Sequence, residues 1–232
     1  MNMPELVDVI FLDIDGVLLP FGGIRDNYSK DSLSFTEGCI FPDCTMDALT
    51  TLLQRIYNIS LDIAPSITKN KALCKPTIQG NPVVVLSSSW RARSEFIQDI
   101  LASIRAYVGA KGLEDASTLQ IWENHLESFF DITDPHFHVT RHDEIYKWVK
   151  ENTTREGKQI SQYSKDAARK YVVRSWIALD DEDLVNVEGI VSQDAMGHAV
   201  QTKSSVGLTL HDVDVGVHLV KKQMQDFHGI ST

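Results

Sequence analysis

Cysteine is scarce in this chain, and its pattern excludes two classes of protein. The 232 residues hold three cysteines, Cys39, Cys44 and Cys74, and no Cys-x-x-Cys motif. A small odd number without paired spacing argues against a disulfide framework and against a cysteine zinc site. The cysteines therefore predict reduced thiols in a cytoplasmic protein.

Positive charge is also in short supply. The chain has 22 Lys and Arg against 32 Asp and Glu, a formal net charge of −10. A balance of this sign disfavours a protein that holds nucleic acid along its length through many phosphate contacts. We therefore expect no extended nucleic-acid-binding surface, although the charge is compatible with a local basic patch.

Long apolar runs, repeats and low-complexity tracts are missing as well. No segment is apolar for long enough to span a membrane. The first apolar run is interrupted by Glu5, Asp8, Asp13 and Asp15 and follows no basic stretch, which argues against a secretory signal. We expect no membrane partner. The length and a hydrophobic content of 43% predict a single α/β domain over residues 1–232.

What the chain does have is an alternation of apolar runs and amphipathic segments, which predicts a parallel sheet with helices on both faces. Strands are predicted at residues 7–12, 83–86 and 171–179, with short ones at 137–139 and 198–201. Helices are predicted over 45–57, 91–107 and 117–130, after residue 140, and from 213 to 224. Thr45 and Thr140 are the expected N-caps of the first and fourth of these helices.

Two carboxylates follow the first predicted strand directly. The apolar run ends in Asp13-Ile14-Asp15-Gly16, which places both side chains near the C-terminal end of the strand. Open α/β sheets bind ligands at that edge. One carboxylate can attack as a nucleophile while the other moves a proton, and both are hard oxygen donors suited to Mg²⁺. On its own, Asp-x-Asp-Gly also fits a calcium loop or an ordinary turn.

Two further strands end in polar residues. Ser87 follows the run 83–86, and Asp180 and Asp181 follow the strand that starts at Tyr171. Right-handed crossovers place all these strand ends on one side of the sheet. A basic residue, Arg141, opens the helix between the second and third clusters.

This set of residues supports phosphoryl transfer. Asp13 would attack phosphorus and Asp15 would protonate the leaving oxygen, while Ser87 and Arg141 hold the phosphoryl oxygens. Mg²⁺ is a physical requirement, because a carboxylate that approaches a phosphate dianion meets like-charge repulsion. Asp180 or Asp181 would help to hold that ion.

At this point the chain resembles the haloacid dehalogenase (HAD) superfamily of Mg²⁺-dependent phosphohydrolases, which have a Rossmann-like fold. The stretch from Phe11 to Val17 is similar to motif I, in which the first Asp is the nucleophile and the second the acid/base. Ser87 is similar to motif II, and the run from Trp176 to Asp183 to motif IV. Motif III usually holds Lys, and the best-placed residue here is Arg141, which can bind phosphate by a two-pronged fork.

The resemblance implies a phosphatase that works through an aspartyl-phosphate intermediate. It assigns phosphate binding and metal binding to two separate sets of residues. The phosphate-binding set is Ser87, Ser88 and Arg141, with Lys147 as the next candidate for motif III. The metal ligands are Asp13, Asp15, Asp180 and Asp181. The Val-Leu-Ser-Ser-Ser-Trp-Arg form of motif II is similar to that of small HAD proteins without a large cap, some of them tied to RNA repair.

Other residues keep two interpretations. Ser89 and Arg91 either belong to the phosphate site or form an exposed helix start, and Asp183 either supports the metal site or opens a helix. A zinc site is the less favoured explanation of the group His136, His138 and His142. Of the four tryptophans, Trp90 is expected to border the site and the others to lie in the core.

Two segments bear on how open the site is. The loop or flap at 20–44 and the irregular insertion at 59–81 are each too short for a separate cap domain of about 50 residues or more. We therefore expect a solvent-facing site with the 20–44 loop as its only movable cover. Such a site excludes water poorly, which favours a macromolecular phosphorylated substrate or a homodimer in which the second subunit covers the site.

The same motifs leave two rival functions open. A phosphotransferase or mutase would use the same chemistry with another acceptor. A non-catalytic binding module on the HAD fold would explain the change from Lys to Arg in motif III, but it has no need of both Asp13 and Asp15. Fold alone does not decide between these functions.

Overall fold

The structure is a computed structural model that describes residues 5–21, 33–68, 82–112, 116–134, 140–152, 171–187, 190–192 and 195–229. Its strands are β1 (Glu5–Leu12), β2 (Val83–Leu86), β3 (Asp131–Ile132), β4 (Tyr171–Asp180), β5 (Asn186–Val187), β6 (Ile190–Val191) and β7 (Ala199–Gln201). Five of them form a parallel sheet in the order β3-β2-β1-β4-β7, and β5 and β6 form a separate antiparallel pair.

Helices cover both faces of this sheet. They are α1 (Asp43–Thr68), α2 (Ser94–Gly112), α3 (Ala116–Trp122), α4 (Arg141–Asn152) and α5 (Leu210–His228), with short 3₁₀ helices at Ser89–Ala92 and Glu123–His125. None of the helices in the described ranges is both long and apolar enough to cross a membrane.

The alternation of side chains along β1 explains why there are two layers. Ile10 and Leu12 face one side and pack in a large core with apolar residues of α1, α2, α3 and α5. Val7, Val9 and Phe11 face the other side, where α4 supplies the packing through residues that include Trp148. Successive side chains of a strand point to opposite faces, so one continuous apolar run serves both layers. This arrangement confirms the predicted Rossmann-like α/β class.

Several predicted element bounds are wrong. Helix α1 begins at Asp43, so Thr45 is not its N-cap; the Thr45 hydroxyl instead donates to the carbonyls of Leu18 and Pro42. The same helix runs to Thr68, well into the segment predicted to be irregular from residue 59. By contrast, Thr140 does cap α4, because its Oγ accepts a hydrogen bond from the backbone N–H of Asp143 at 3.3 Å.

The region before α4 also differs from the prediction. The helix predicted over 117–130 ends at Trp122 and continues only as a 3₁₀ turn, and the short strand β3 follows at Asp131–Ile132. The strand predicted at 137–139 lies outside the described residues, as does Cys74. Cys39 is buried and Cys44 is exposed, and neither forms a disulfide within the described part of the chain.

A buried ion pair lies between β1 and β4. The pairing of these strands shifts register between Val7 and Asp8, so that Arg174 is the extra residue of a bulge. The Arg174 guanidinium donates to both carboxylate oxygens of Asp8, and its Nη2 lies 2.6 Å from the hydroxyl oxygen of Ser60. The hydroxyl of Ser175 donates to the same carboxylate at 2.7 Å. All four side chains are buried, so charge and hydrogen bonding must be balanced locally.

This balance gives a stability prediction. Arg174→Met should lower the free energy of unfolding by about 3–5 kcal/mol, because it leaves the Asp8 carboxylate buried without its counter-charge. The double variant Asp8→Leu/Arg174→Met should lose much less, since it removes both charges together. Urea unfolding followed by circular dichroism measures both values, and equal losses in the single and double variants would contradict this explanation.

Candidate active site

The predicted site residues meet at the point where the strand order reverses. From β1 the chain moves outward to β2 and β3 and then returns to the other side of β1 with β4 and β7. The crevice at the carboxyl ends of such strands is the usual ligand site of open α/β sheets. The backbone N–H of Asp13 donates to the carbonyl of Leu179, and that of Ser87 donates to the carbonyl of Leu12, both at 3.0 Å. The ends of β1, β2 and β4 are therefore held together.

Three carboxylates form a cluster at this edge. Asp13, Asp180 and Asp181 each offer an oxygen, and these atoms lie within 4.8 Å of one another. Burial raises the pKa of Asp180 to about 7, with the negative charge of Asp13 as the second cause. Burial and Asp13 also raise the pKa of Asp181. A divalent cation would remove both the repulsion and the cost of burial, so the donor set fits Mg²⁺.

The orphaned polar atoms of the site support the same conclusion. Asp180 Oδ2 and the hydroxyls of Ser87 and Thr133 are buried and have no hydrogen-bond partner among the described residues. Buried polar atoms are normally hydrogen-bonded, so three atoms without such a bond at the carboxyl ends of β2, β3 and β4 fit a site that binds an ion and a polar ligand.

The loop after β1 is fitted closely against Asp181. Gly16 has a φ of +71°, and a Cβ atom on it would lie 2.5 Å from Asp181 Cγ. The hydroxyl of Thr202, just after β7, donates to the carbonyl of Gly16 at 2.9 Å. Only glycine fits this conformation and this close approach.

Arg141 supplies positive charge to the carboxylate cluster. Its Nη2 lies 3.8 Å from Asp13 Oδ1, and its Nε lies 3.5 Å from Asp180 Oδ2. The side chain is only 13% exposed. Lys147, the other candidate for motif III, is more exposed and pairs with Asp134 at 3.3 Å. Of the two candidates, Arg141 is the one that lies beside Asp13.

The two serines of motif II are placed differently. Ser87 is fully buried at the end of β2, and its hydroxyl has no hydrogen-bond partner among the described residues. Ser88 is also buried, but its hydroxyl accepts from the backbone N–H of Trp90 at 3.4 Å and so caps the 3₁₀ helix Ser89–Ala92. Ser87 is therefore the better placed of the two to contact a phosphoryl oxygen, and both assignments stay predictions.

Arg91 corrects the interpretation of an exposed helix start. Its side chain is buried, and Nη1 donates to the carbonyls of Ser87 and Ser88 at 2.7 and 2.6 Å. Its Nε donates to the carbonyl of Thr133 at 3.2 Å, and Nη2 pairs with the carboxylate of Glu144 on α4. Arg91 thus joins the loop after β2, the end of β3 and the helix that carries the candidate motif III residue.

Glu144 is a residue beside the site that the sequence did not indicate. It is buried, and its Oε2 lies 4.0 Å from Arg141 Nη1 in addition to its pairing with Arg91. Burial raises the pKa of Glu144, and the two arginines oppose that rise. The only local signal was an acidic residue in the first turn of α4. Such a residue is weak evidence, because Glu is common near helix N-termini without any catalytic role.

Trp90 borders the site, as predicted. Its indole Nε1 donates to Asp15 Oδ2 at 3.0 Å. The carboxylate of Asp15 is not part of the three-residue cluster, so its assignment as a metal ligand remains a prediction. Two of the other tryptophans, Trp122 and Trp148, are buried in the core. Trp176 is partly buried and stacks on His198 at a ring-centroid distance of 3.9 Å.

Asp183 and His142 each belong to one of the alternative interpretations given by the sequence. Asp183 does not open a helix; its carboxylate accepts from the backbone N–H groups of Val185 and Asn186 in an exposed turn. Hydrogen bonding to Asn186 lowers the pKa of Asp183. His142 lies 2.6 Å from the Ser192 hydroxyl through its Nε2, while His136 and His138, which the zinc hypothesis also needs, lie outside the described residues.

The raised pKa of Asp180 gives a prediction about metal binding. In the unfolded chain this carboxyl ionises near its usual pKa of about 4, so the folded protein without metal binds the proton more tightly and loses stability as the pH rises from about 4 to about 7. A divalent cation needs the ionised form. Added Mg²⁺ should therefore raise the Tm more at pH 8 than at pH 6.

A thermal-shift titration with MgCl₂ at the two pH values measures the effect. Asp180→Asn provides the control, because it should remove this part of the pH dependence and most of the Mg²⁺ response. The same Mg²⁺-induced shift in the wild-type protein at both pH values would contradict the prediction.

The sequence was also compared with known proteins. No curated protein and no solved structure matched it. Residues 9–213 match the family described as the HAD domain in Swiss Army Knife RNA repair proteins, a span that contains every site residue named above. This chain therefore belongs to that family, and with it to the phosphatase-type HAD superfamily.

Proposed function

We propose that the protein is a Mg²⁺-dependent phosphatase that hydrolyses a phosphate monoester at the end of an RNA, through an aspartyl-phosphate on Asp13. One observation carries the proposal: the Asp13 carboxylate lies beside both the carboxylates of Asp180 and Asp181 and the guanidinium of Arg141. A carboxylate that attacks phosphorus needs positive charge on both sides. Arg141 supplies the charge on one side, and the carboxylates of Asp180 and Asp181 are ligands for a cation on the other. The family description supports RNA as the substrate class.

The residues divide the first half of the reaction between them. A carboxylate oxygen of Asp13 forms a bond to phosphorus while the bond from phosphorus to the leaving oxygen breaks, and Asp15 gives a proton to that oxygen. The Ser87 hydroxyl and Arg141 bind the phosphoryl oxygens during the transfer. Mg²⁺ held by Asp13, Asp180 and Asp181 would neutralise charge between the nucleophile and the phosphoryl group.

The second half regenerates the enzyme. Water attacks the phosphorus of the aspartyl-phosphate and passes a proton to Asp15, while the Asp13 carboxylate leaves and inorganic phosphate is released. The same carboxyl group therefore acts first as an acid and then as a base, so the proton balance closes over one turnover.

An open site is part of the proposal. An RNA end is large enough to cover the reacting phosphate, which suits an enzyme without a large cap domain. The residues on which this expectation depends most, 22–32 of the flap and 69–81 of the insertion, lie outside the described residues. The absence of a cap, the role of the flap, the homodimer and the cytoplasmic location stay predictions.

A substrate screen tests the function directly. Oligoribonucleotides with a 3′- or 5′-phosphate, the matching oligodeoxyribonucleotides, nucleotides, sugar phosphates and phosphopeptides would be compared with Mg²⁺ and with EDTA. We expect release of phosphate from an RNA end in the presence of Mg²⁺ only. Transfer of the phosphate to an added alcohol or sugar would instead support a phosphotransferase, and inactivity on every class would support a binding module.

Asp13→Asn should reduce turnover to background, by roughly 10⁴-fold or more, because it removes the nucleophile. The substitution removes one of several clustered negative charges, so the fold should stay intact by circular dichroism. Asp62→Asn, the same change at an exposed position of α1, is the matched control and should keep full activity.

A second readout does not depend on turnover. Beryllium fluoride mimics an acyl-phosphate, so it should raise the Tm of the wild-type protein with Mg²⁺ but not that of Asp13→Asn. Normal turnover by a folded Asp13→Asn protein would exclude the aspartyl-phosphate mechanism.

Arg141→Ala should lower kcat/KM by about 10²- to 10³-fold, because it removes positive charge from beside Asp13 and the phosphoryl oxygens. Arg141→Lys should keep part of the activity, since it retains the charge but not the two-pronged geometry. Lys147→Ala, which removes a cation from the same helix away from Asp13, should change kcat/KM little. If both Arg141 variants were fully active and Lys147→Ala were not, motif III would lie at Lys147.

A further inference from the structure

We infer that Trp90 is a positioning residue for proton transfer. Its indole N–H holds Oδ2 of Asp15 and leaves Oδ1 as the oxygen that exchanges the proton. The inference rests on the proposed function, in which Asp15 is the acid and base. Nothing in the motif resemblance or in the family description assigns a role to this tryptophan.

The first observation is the hydrogen bond itself. Trp90 Nε1 lies 3.0 Å from Asp15 Oδ2, and it is the one hydrogen bond that the described residues make to this carboxylate. An indole N–H can only donate. It therefore engages Oδ2 as an acceptor whether Asp15 is ionised or protonated, and the other oxygen remains available to carry a proton.

The second observation is that Trp90 is itself fixed. Its backbone N–H is bound by the capping hydroxyl of Ser88, and the next residue, Arg91, is held by three carbonyls and Glu144. Its ring packs against that of Phe96 at a centroid distance of 5.3 Å. The indole nitrogen is thus a fixed donor attached to the same loop as Ser87.

The fixed position of Trp90 and its hydrogen bond to Asp15 together restrict the orientation of the Asp15 carboxyl group. Rotation of a carboxyl group about its last torsion is easy, because that torsion is broad and roughly two-fold. A fixed donor on Oδ2 restricts the rotation and directs Oδ1. In the first half-reaction the proton passes from Oδ1 to the leaving oxygen, and in the second the attacking water returns a proton to the same atom. General acid catalysis requires this kind of fixed geometry.

A comparison of two leaving groups tests the inference. Phenyl phosphate and 4-nitrophenyl phosphate are close in size, but the nitrophenolate departs without needing a proton. Trp90→Phe keeps an aromatic ring and removes the N–H. It should lower kcat/KM for phenyl phosphate by about tenfold and change that for 4-nitrophenyl phosphate little, as expected for loss of one hydrogen bond to a carboxyl group that becomes charged when it gives up its proton.

The chain offers a matched control at another site. Trp148 Nε1 donates to Asp131 Oδ2 at 2.8 Å, so Trp148→Phe removes the same kind of bond far along the chain from Asp15. It should change kcat/KM for both substrates by the same factor. An equal loss on both substrates in Trp90→Phe would overturn the inference, because that is the result of a merely structural role.

Asp15→Asn separates this inference from the proposed function. It should show the same preference for the better leaving group, and more strongly. If it does not, Asp15 is not the acid and the proposed function fails. If it does while Trp90→Phe does not, only the role of Trp90 fails.

A measurement without turnover covers the case in which Trp90→Phe does not fold. In the ¹⁵N–¹H spectrum, the indole resonance of Trp90 should move in Asp15→Ala, and its N–H should exchange faster with solvent. The indole resonance of Trp122, which donates to Thr50 in the core, should stay in place. An unmoved Trp90 resonance would show that the bond to Asp15 does not form.

Discussion

Repulsion between buried carboxylates is the constraint on which the arrangement of this molecule depends. Asp13, Asp180 and Asp181 converge because parallel strands deliver their carboxyl ends to one edge, and their burial raises the pKa values of two of them. Arg141 offsets part of the negative charge, and a divalent cation held by the three carboxylates would offset the rest. In the proposed mechanism, the same repulsion that costs stability without a metal would favour the binding of Mg²⁺ and then of the phosphoryl group.

The buried guanidinium of Arg91 turns this collection of strand ends into one unit. Its bonds to the carbonyls of Ser87, Ser88 and Thr133 hold two loops, and its pairing with Glu144 ties them to α4. Arg suits this position because its planar fork has five donors and keeps its charge when buried. Arg91 therefore connects Ser87, the indole of Trp90 beside Asp15 and the helix that carries Arg141, and it can do so without contacting a substrate.

The sequence predicted the features that depend on local pattern. Apolar runs located the long strands, and Asp13, Ser87 and Asp180 were found because each directly follows such a run. Features that depend on distant partners were missed: the burial of Arg91 depends on Glu144, 53 residues away. The end of α3 was misplaced because Phe129 continues the helical spacing of apolar residues although the chain has already left the helix. β3 has two residues, one of them charged, which is too short for any periodicity.

The absence of a side chain at Gly16 shapes the proposed metal site. In the sequence it is an ordinary turn glycine after two aspartates, yet a methyl group on it would occupy the space of the Asp181 carboxylate. A larger residue at this position would push aside the carboxylate of Asp181, one of the proposed cation ligands. The absence of a side chain at Gly16 therefore lets the loop after β1 approach the end of β4 closely, and in the proposed metal site this spacing would limit the size of the bound ion.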